Sequence, residues 1–303
     1  MTILPRIVVG IPAFNEEKTI GKVVLRSQKY ADKVVVCDDG CTDMTGEIAQ
    51  RLGADVVRHE RNLGYGAAIQ TLFKRARELG ADVFVTLDGD GQHDPNEIPF
   101  VVEPIISGEA DIAVGSRFMD KRMTSVAPWY RRAGIRFISR IVDNRTKQGV
   151  EDAQSGFRAY NSKSLEKLAM AENGMGASVE ILMSAKKQGL TVKEVSTSCD
   201  YGEDLKKHAH NPVSHGIGVI MSIVKLVVED RPLTFMGIPG VAFLAAGICF
   251  GVWMMQIYAA QHFIAFGVAI ATLAFLMLGF FLLTTSITLY AIARLAERTN
   301  SKR

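Results

Sequence analysis

The sequence has 303 residues, 22% of them charged, and a net charge of +3. So small a charge argues against a nucleic-acid-binding chain, and four scattered cysteines with no CxxC pair argue against a disulfide framework or a thiolate zinc site. The length exceeds one ordinary domain, so a core domain with an addition is expected.

The opening Met1-Thr2-Ile3-Leu4-Pro5-Arg6 lacks a basic stretch followed by a long apolar core, so no secretory leader is expected and the bulk of the chain is expected in the cytoplasm. Ile7–Ile11 is a short apolar run, hence a buried strand, ended by Pro12-Ala13-Phe14-Asn15-Glu16-Glu17. Thr19–Tyr30 carries Ile20, Val23 and Val24 at helical spacing. Lys33–Cys37 is the second strand; it ends in the acidic turn Asp38–Asp43, which leads into a helix through Gln50. Asp55–Val57 is a short third strand, Gly64–Leu79 a helix, and Asp82–Leu87 a fourth strand. That strand runs into TLDGDGQHDP (Thr86–Pro95), which places Asp88, Asp90, Gln92 and Asp94 in one turn. Pro95–Ser107 reads as helix and Asp111–Gly115 as a fifth strand. Strands separated by single helices predict an α/β fold, a mostly parallel sheet with helices on both faces.

Two strands thus end in acidic turns, and in a parallel sheet their C-terminal ends share one edge, where ligands bind. Asp88 and Asp90 flank Gly89, so the backbone can fold both carboxylates onto one point. Hard oxygen ligands of this kind suit Mg²⁺ or Mn²⁺ holding a diphosphate; the alternative is a helix-capping Asp/Gly turn. Neither a GxGxxG nor a GxxxxGK[ST] loop is present. A nucleotide held by carboxylates and a metal, without a glycine cradle, points to a nucleotide sugar.

Further along, Trp129–Asn144 is a basic helix with Arg132, Arg136 and Arg140 on one face, a solvated stripe or a face against anionic lipid. Ala177–Lys187 is amphipathic, and Asp200–His215 reads as a polar loop. His208, His210 and His215 lack the acidic or Cys partner that would complete a zinc tetrahedron. Pro212–Asp230 has an apolar face and reads as a helix along a membrane surface. From Leu233 to Ala293, 61 residues, there is no Asp, Glu, Lys or Arg. That is enough for two spans, about Leu233–Ile257 and Phe263–Ala293, joined as a hairpin. Lys225 and Arg231 precede the hairpin, Arg294, Arg298, Lys302 and Arg303 follow it, and its loop has no Lys or Arg. Both flanks are therefore expected in the cytoplasm. The expected organisation is a catalytic domain over 1–211, an interfacial helix over 212–231, and a multi-pass cell-membrane hairpin with a basic tail over 232–303.

Six segments in this order, VGIPAFNEE (Val9–Glu17), VVVCDDGCTD (Val34–Asp43), RNLGYGAA (Arg61–Ala68), TLDGDGQHDP, VGSRF (Val114–Phe118) and EDAQSGFRAY (Glu151–Tyr160), give the chain a close likeness to a known family. It resembles the family 2 glycosyltransferases, in the group of dolichyl-phosphate mannose and polyprenyl-phosphate glucose synthases. The resemblance implies a GT-A fold and transfer of one hexose, with inversion, from a GDP- or UDP-hexose to a polyprenyl or dolichyl phosphate. GDP-mannose is the favoured donor and UDP-glucose the alternative; a tethered enzyme acting on a protein or glycan is a further alternative, and self-association stays open. It implies that Pro12, Phe14 and Glu16 line the pocket for base and ribose, and that Asp39 accepts from a base N–H. It implies that Asp88, Asp90 and Gln92 hold Mg²⁺ or Mn²⁺. Arg117 is expected to grip a phosphate, and Arg132, Arg136 and Ser139 to bind the acceptor phosphate. Asp152 matches the family's general base, but a phosphate acceptor is already anionic, so orientation is the expected role. Tyr65 stands where relatives commonly carry Lys, and no Gln-x-x-Arg-Trp occurs, which argues against a processive synthase.

Overall fold

The computed structural model describes residues 5–117, 149–168, 176–199 and 233–300, together with 119, 139, 170 and 174. The basic helix with Arg132 and Arg136, the 200–215 loop and the 212–230 helix lie outside the described residues. The chain divides into two units, Met1–Ser222 and Ile223–Arg303.

In the first unit, the elements in order are β1 (Ile7–Ala13), α1 (Ile20–Ser27), β2 (Lys33–Asp38), α2 (Thr45–Arg51), β3 (Asp55–Arg58), α3 (Tyr65–Glu78) and β4 (Val83–Thr86). A 3₁₀ turn at Pro95–Glu97, α4 (Ile98–Ile106), β5 (Ile112–Ser116), β6 (Arg158–Asn161), α5 (Ser162–Lys167), α6 (Ala177–Lys187) and β7 (Val192–Ser196) follow. The strands form one sheet in the order β3-β2-β1-β4-β6-β5-β7. β1, β2 and β4 are apolar along nearly their whole length because they are covered on both faces. α1 buries Ile20, Val23 and Val24, and α3 buries Ala68, Ile69, Leu72, Phe73 and Ala76, one helical stripe each.

Gly10 in β1 makes room for an aromatic cluster: a Cβ there would stand 2.6 Å from the Phe84 ring, which packs edge-on against Phe73 at 5.2 Å. Pro12 is tolerated because β1 pairs with β4 only as far as Gly10, and with β2 alone beyond it.

Two strands differ from the sequence expectation. β6 runs antiparallel between β4 and β5, and β7 adds a parallel edge beside β5. Neither RAYN nor VKEVS has the apolar run of a buried strand. The long helix expected at Pro95–Ser107 is a 3₁₀ turn followed by α4, because the Asp94 side chain caps the turn by accepting from Asn96 N–H.

The second unit holds a π-helical turn at Leu233–Gly237, α7 (Ile238–Gln261) and α8 (Phe266–Asn300). α7 ends at His262, whose left-handed φ of 48° turns the chain. The helices approach closely at glycines: a Cβ on Gly279 would lie 2.8 Å from Gly240 O, and one on Gly247 would lie 3.0 Å from Leu276 N. Phe250 and Phe275 stack at 5.4 Å. Both helices are long and apolar enough to cross a membrane, and only 17% and 6% of an 18-residue apolar stretch in each is buried, unlike core helices of a soluble protein.

Candidate active site

Strands β1, β2 and β3 step outward in one direction and β4 lies on the other side of β1, so the order reverses between β1 and β4. A crevice opens at the C-terminal ends of strands at such a point. The loops there are stitched together by side chains. Asn15 adopts a left-handed φ of 56°, which Asn tolerates better than most residues; its Oδ1 accepts from Thr42 N–H at 2.9 Å. The Glu16 N–H donates to Thr45 Oγ1 at 2.7 Å, and Thr19 Oγ1 donates to Gly89 O at 2.8 Å. The loop after β1 is thereby fixed both to the loop after β2 and to the glycine between Asp88 and Asp90.

Three acidic groups meet in this crevice. Burial, then the neighbouring Asp90, pushes the Asp88 carboxyl up to about 7. Burial, then Asp90, likewise pushes Glu16 up to about 7. Thr86 Oγ1 donates to Gly156 O at 2.8 Å, which draws Gly156 against the Asp88 carboxylate. Gln92 N–H donates to Asp90 Oδ1 at 2.9 Å. Crowded carboxylates with raised pKa values are what a divalent cation relieves. Among the described residues no three His, Cys, Asp or Glu side chains form a cage for a metal by themselves. Asp88 and Asp90 nevertheless fit Mg²⁺ or Mn²⁺, because such ions are commonly held by one or two carboxylates with substrate phosphates supplying the rest.

Asp152 is fully buried and its two oxygens take Arg117 Nε at 2.7 Å and Nη2 at 2.8 Å, a two-pronged ion pair. Burial alone would raise its pKa, but Arg117 holds it below the usual carboxylate value. Glu194 on β7 accepts from the N–H groups of Glu151 and Asp152 and so fixes the turn. This arrangement favours orientation over proton abstraction for Asp152. Ser139 is buried and its Oγ accepts from Ala153 N–H at 3.1 Å, so it braces the turn that carries Asp152.

Pro12 is buried within β1, and Phe14 and Glu16 follow it half-buried at the crevice. The acidic turn after β2 splits in role. Asp38 is fully buried, accepts from Cys41 N–H at 2.7 Å and has Arg58 Nε 3.1 Å from its other oxygen, so it shapes the turn. Asp39 accepts from Leu63 N–H and Gly64 N–H, both at 2.9 Å, and lies 2.7 Å from His59 Nδ1. Arg158, with Nε, Nη1 and Nη2 each 2.8 Å from a backbone carbonyl, is a buried structural cation. Tyr65 opens α3 beside Asp88 and Arg158; burial, then Asp88, pushes its hydroxyl well above its ordinary value.

Set against known proteins, the sequence model described as glycosyl transferase family 2 matches residues 8–169. The chain belongs to glycosyl transferase family 2. The UDP-N-acetylglucosamine–dolichyl-phosphate N-acetylglucosaminyltransferase of Methanococcus voltae is 35% identical over 64% of this glycosyltransferase and 85% of its own length. The dolichyl-phosphate hexose transferase of Haloferax volcanii is 32% identical over 72% and 92%. Among solved structures, glucosyl-3-phosphoglycerate synthase from Mycobacterium tuberculosis, in complex with Mn²⁺, UDP and glucosyl-3-phosphoglycerate, superposes with a TM-score of 0.58 at 22% identity. It covers 73% of this chain and 80% of that one, and it supports the GT-A fold.

Sequence reasoning missed Gly156, Thr19, Glu194 and His59. Gly156 lies inside a segment that carried the resemblance, and its lack of a side chain was the available signal. The other three reach the site across long stretches of chain.

Proposed function

We propose that this glycosyltransferase moves one hexose from a nucleoside-diphosphate sugar to a polyprenyl or dolichyl phosphate at a membrane, with inversion. The reading is carried by the convergence of Glu16, Asp88 and Asp90 at the β1/β4 crevice. It is supported by the two apolar C-terminal helices and by relatives whose names specify dolichyl-phosphate acceptors. Asp88 and Asp90, with Gln92 beside them, would hold Mg²⁺ or Mn²⁺, which supplies neutralisation of the departing diphosphate. The acceptor phosphate oxygen forms the new bond to the anomeric carbon as the bond to the diphosphate breaks on the opposite face. That oxygen is already anionic, so no side chain has to remove a proton. Asp152 sets the direction of the Arg117 guanidinium, and Arg117 meets phosphate charge; Arg132 and Arg136 are assigned to the acceptor side from the sequence alone. We also assign the catalytic unit, both chain ends and the basic flanks of the hairpin to the cytoplasmic face of the cell membrane.

The test uses the full chain in detergent with polyprenyl phosphate, Mn²⁺ and either radiolabelled GDP-mannose or UDP-glucose. Label should enter the organic phase, and Asp90→Asn should cut the rate at least about 100-fold, the scale of losing an electrostatic catalytic group. Label found only in protein or free glycan would overturn the acceptor, and wild-type turnover by Asp90→Asn would overturn the metal assignment.

A further inference from the structure

The turn between Asp152 and Arg158 holds a polar group that the packing around it leaves unmet. From Asp152 to Tyr160 every residue is buried except Gln154, which is half-buried. Its Nε2 is buried all the same, and no hydrogen-bond partner meets it among the described residues. A side-chain amide nitrogen carries two N–H donors, and a buried donor left unmet is costly, so a partner is called for. The backbone on either side is fixed. Ala153 N–H donates to Ser139 Oγ at 3.1 Å, and the carbonyls of Ala153 and Ser155 accept from Arg158 Nη2 and Nε, both at 2.8 Å. Ser155 N–H donates to Asp152 O at 3.3 Å. The unmet amide is therefore not the slack of a loose loop.

The residues two places away on each side define where it stands. Asp152 holds Arg117 in the two-pronged ion pair. Gly156 lies against Asp88: a Cβ built on it would fall 2.4 Å from Asp88 Oδ2. The turn thus runs from the Arg117 pair to the metal carboxylate, with Gln154 midway along it. We infer that Gln154 is a sugar-recognising residue whose Nε2 donates to a hydroxyl oxygen of the hexose being transferred. The inference rests on the function proposed above, in which Asp88 serves the departing diphosphate and Arg117 meets phosphate charge. The group carried between those two is the hexose. Its hydroxyls both donate and accept, so they meet an amide turned either way about its last bond. A site that aims a buried amide at one hydroxyl rejects a sugar lacking it far more strongly than an apolar contact would.

The experiment uses the full chain in detergent with Mn²⁺, polyprenyl phosphate and whichever of UDP-glucose and GDP-mannose the wild type turns over. Analogues of that donor lacking one hydroxyl each are run beside it. The wild type should lose about 10- to 100-fold in kcat/KM with one of these analogues. Gln154→Leu should lose a similar factor with the parent sugar and no more than about three-fold further with that analogue, because one contact can be broken only once. Its KM for polyprenyl phosphate and its affinity for the sugar-free nucleoside diphosphate should be unchanged. Its melting temperature should hold or rise, since an apolar group of similar shape replaces an unmet buried donor. If Gln154→Leu does not fold, Gln154→Met, unbranched like glutamine, takes its place in the same comparison. Losses spread evenly over all the donors, or a melt lowered by several degrees, would make the amide a structural group and overturn the assignment. A raised KM for polyprenyl phosphate alone would move the contact to the acceptor and overturn it too. Wild-type turnover by the variant would overturn it while leaving hexose transfer to a lipid phosphate standing. Transfer from neither donor by the wild type would overturn the proposed function, and this assignment with it.

Discussion

Gly156 lies against Asp88 so closely that a Cβ built on it would fall 2.7 Å from the Asp88 Cγ. Gly156→Ala must therefore push the carboxylate out of the crevice. Transfer into the organic phase should drop at least about 100-fold. The melting temperature should fall by only a few degrees, since the strain is that of one added methyl group. A variant with wild-type turnover would show that the place of Asp88 does not matter. At this scale the sequence revealed which residue types were present and how they were spaced along the chain. Asp88 and Asp90 could be expected at the sheet edge because short acidic turns after apolar runs have a physical reason to lie there, whereas Glu16 was expected near the site only through the family resemblance, in the pocket for base and ribose. The Asp39–His59 contact and the burial of Ser139 were not legible, because they depend on how distant loops fold back on one another.

Elements bring other residues under load. Asp111, at the entry to β5, accepts from Asn161 Nδ2 at 2.9 Å, Thr191 N–H at 2.9 Å and Lys163 Nζ at 2.9 Å, so it joins β5 to β6, α5 and β7. Burial alone would raise its pKa, but these donors hold it at about 2, against 3.8 when unpaired. A depressed carboxylate stabilises the fold above pH 4 and loses that contribution as pH falls from about 4 toward 2. Asp111→Asn should cost about 1–2 kcal/mol at pH 7, reduced for partial screening by solvent. Melting curves of variant and wild type in detergent should converge as the pH is lowered through that window, and a gap independent of pH would refute the assignment. In the hairpin, Gly279→Leu would place side-chain atoms where Gly240 O and Leu244 N already stand. It should destabilise helix packing by about 1–3 kcal/mol, read as a lower melting temperature in detergent; an unchanged melt would mean that α7 and α8 do not pack there. Strands β1 to β5 were readable because each is an apolar run between turn residues. β6 and β7 were not, because Arg158, Lys193 and Glu194 interrupt their apolar pattern, and only the neighbouring strands make these segments extended.

On the scale of the whole molecule, the separation into Met1–Ser222 and Ile223–Arg303 and the uncharged stretch from Leu233 point to a division of labour. Removing residues 233–303 should yield a protein that stays in solution without detergent and still binds nucleoside diphosphate with Mn²⁺, measured by titration calorimetry. Failure to bind would show that the two parts do not act separately. The two long apolar helices were legible in the sequence because span length and the absence of charge are one-dimensional properties.

The reversed strand β6 has a consequence for how the enzyme can move. It is hydrogen-bonded on one side to β4, which carries Asp88, and on the other to β5, which leads to Arg117. Among the described residues, the strand before Asp88 and the strand before Arg117 are thus laced along one seam. The spacing between Asp88 and Arg117 is therefore expected to stay constant when nucleotide binds.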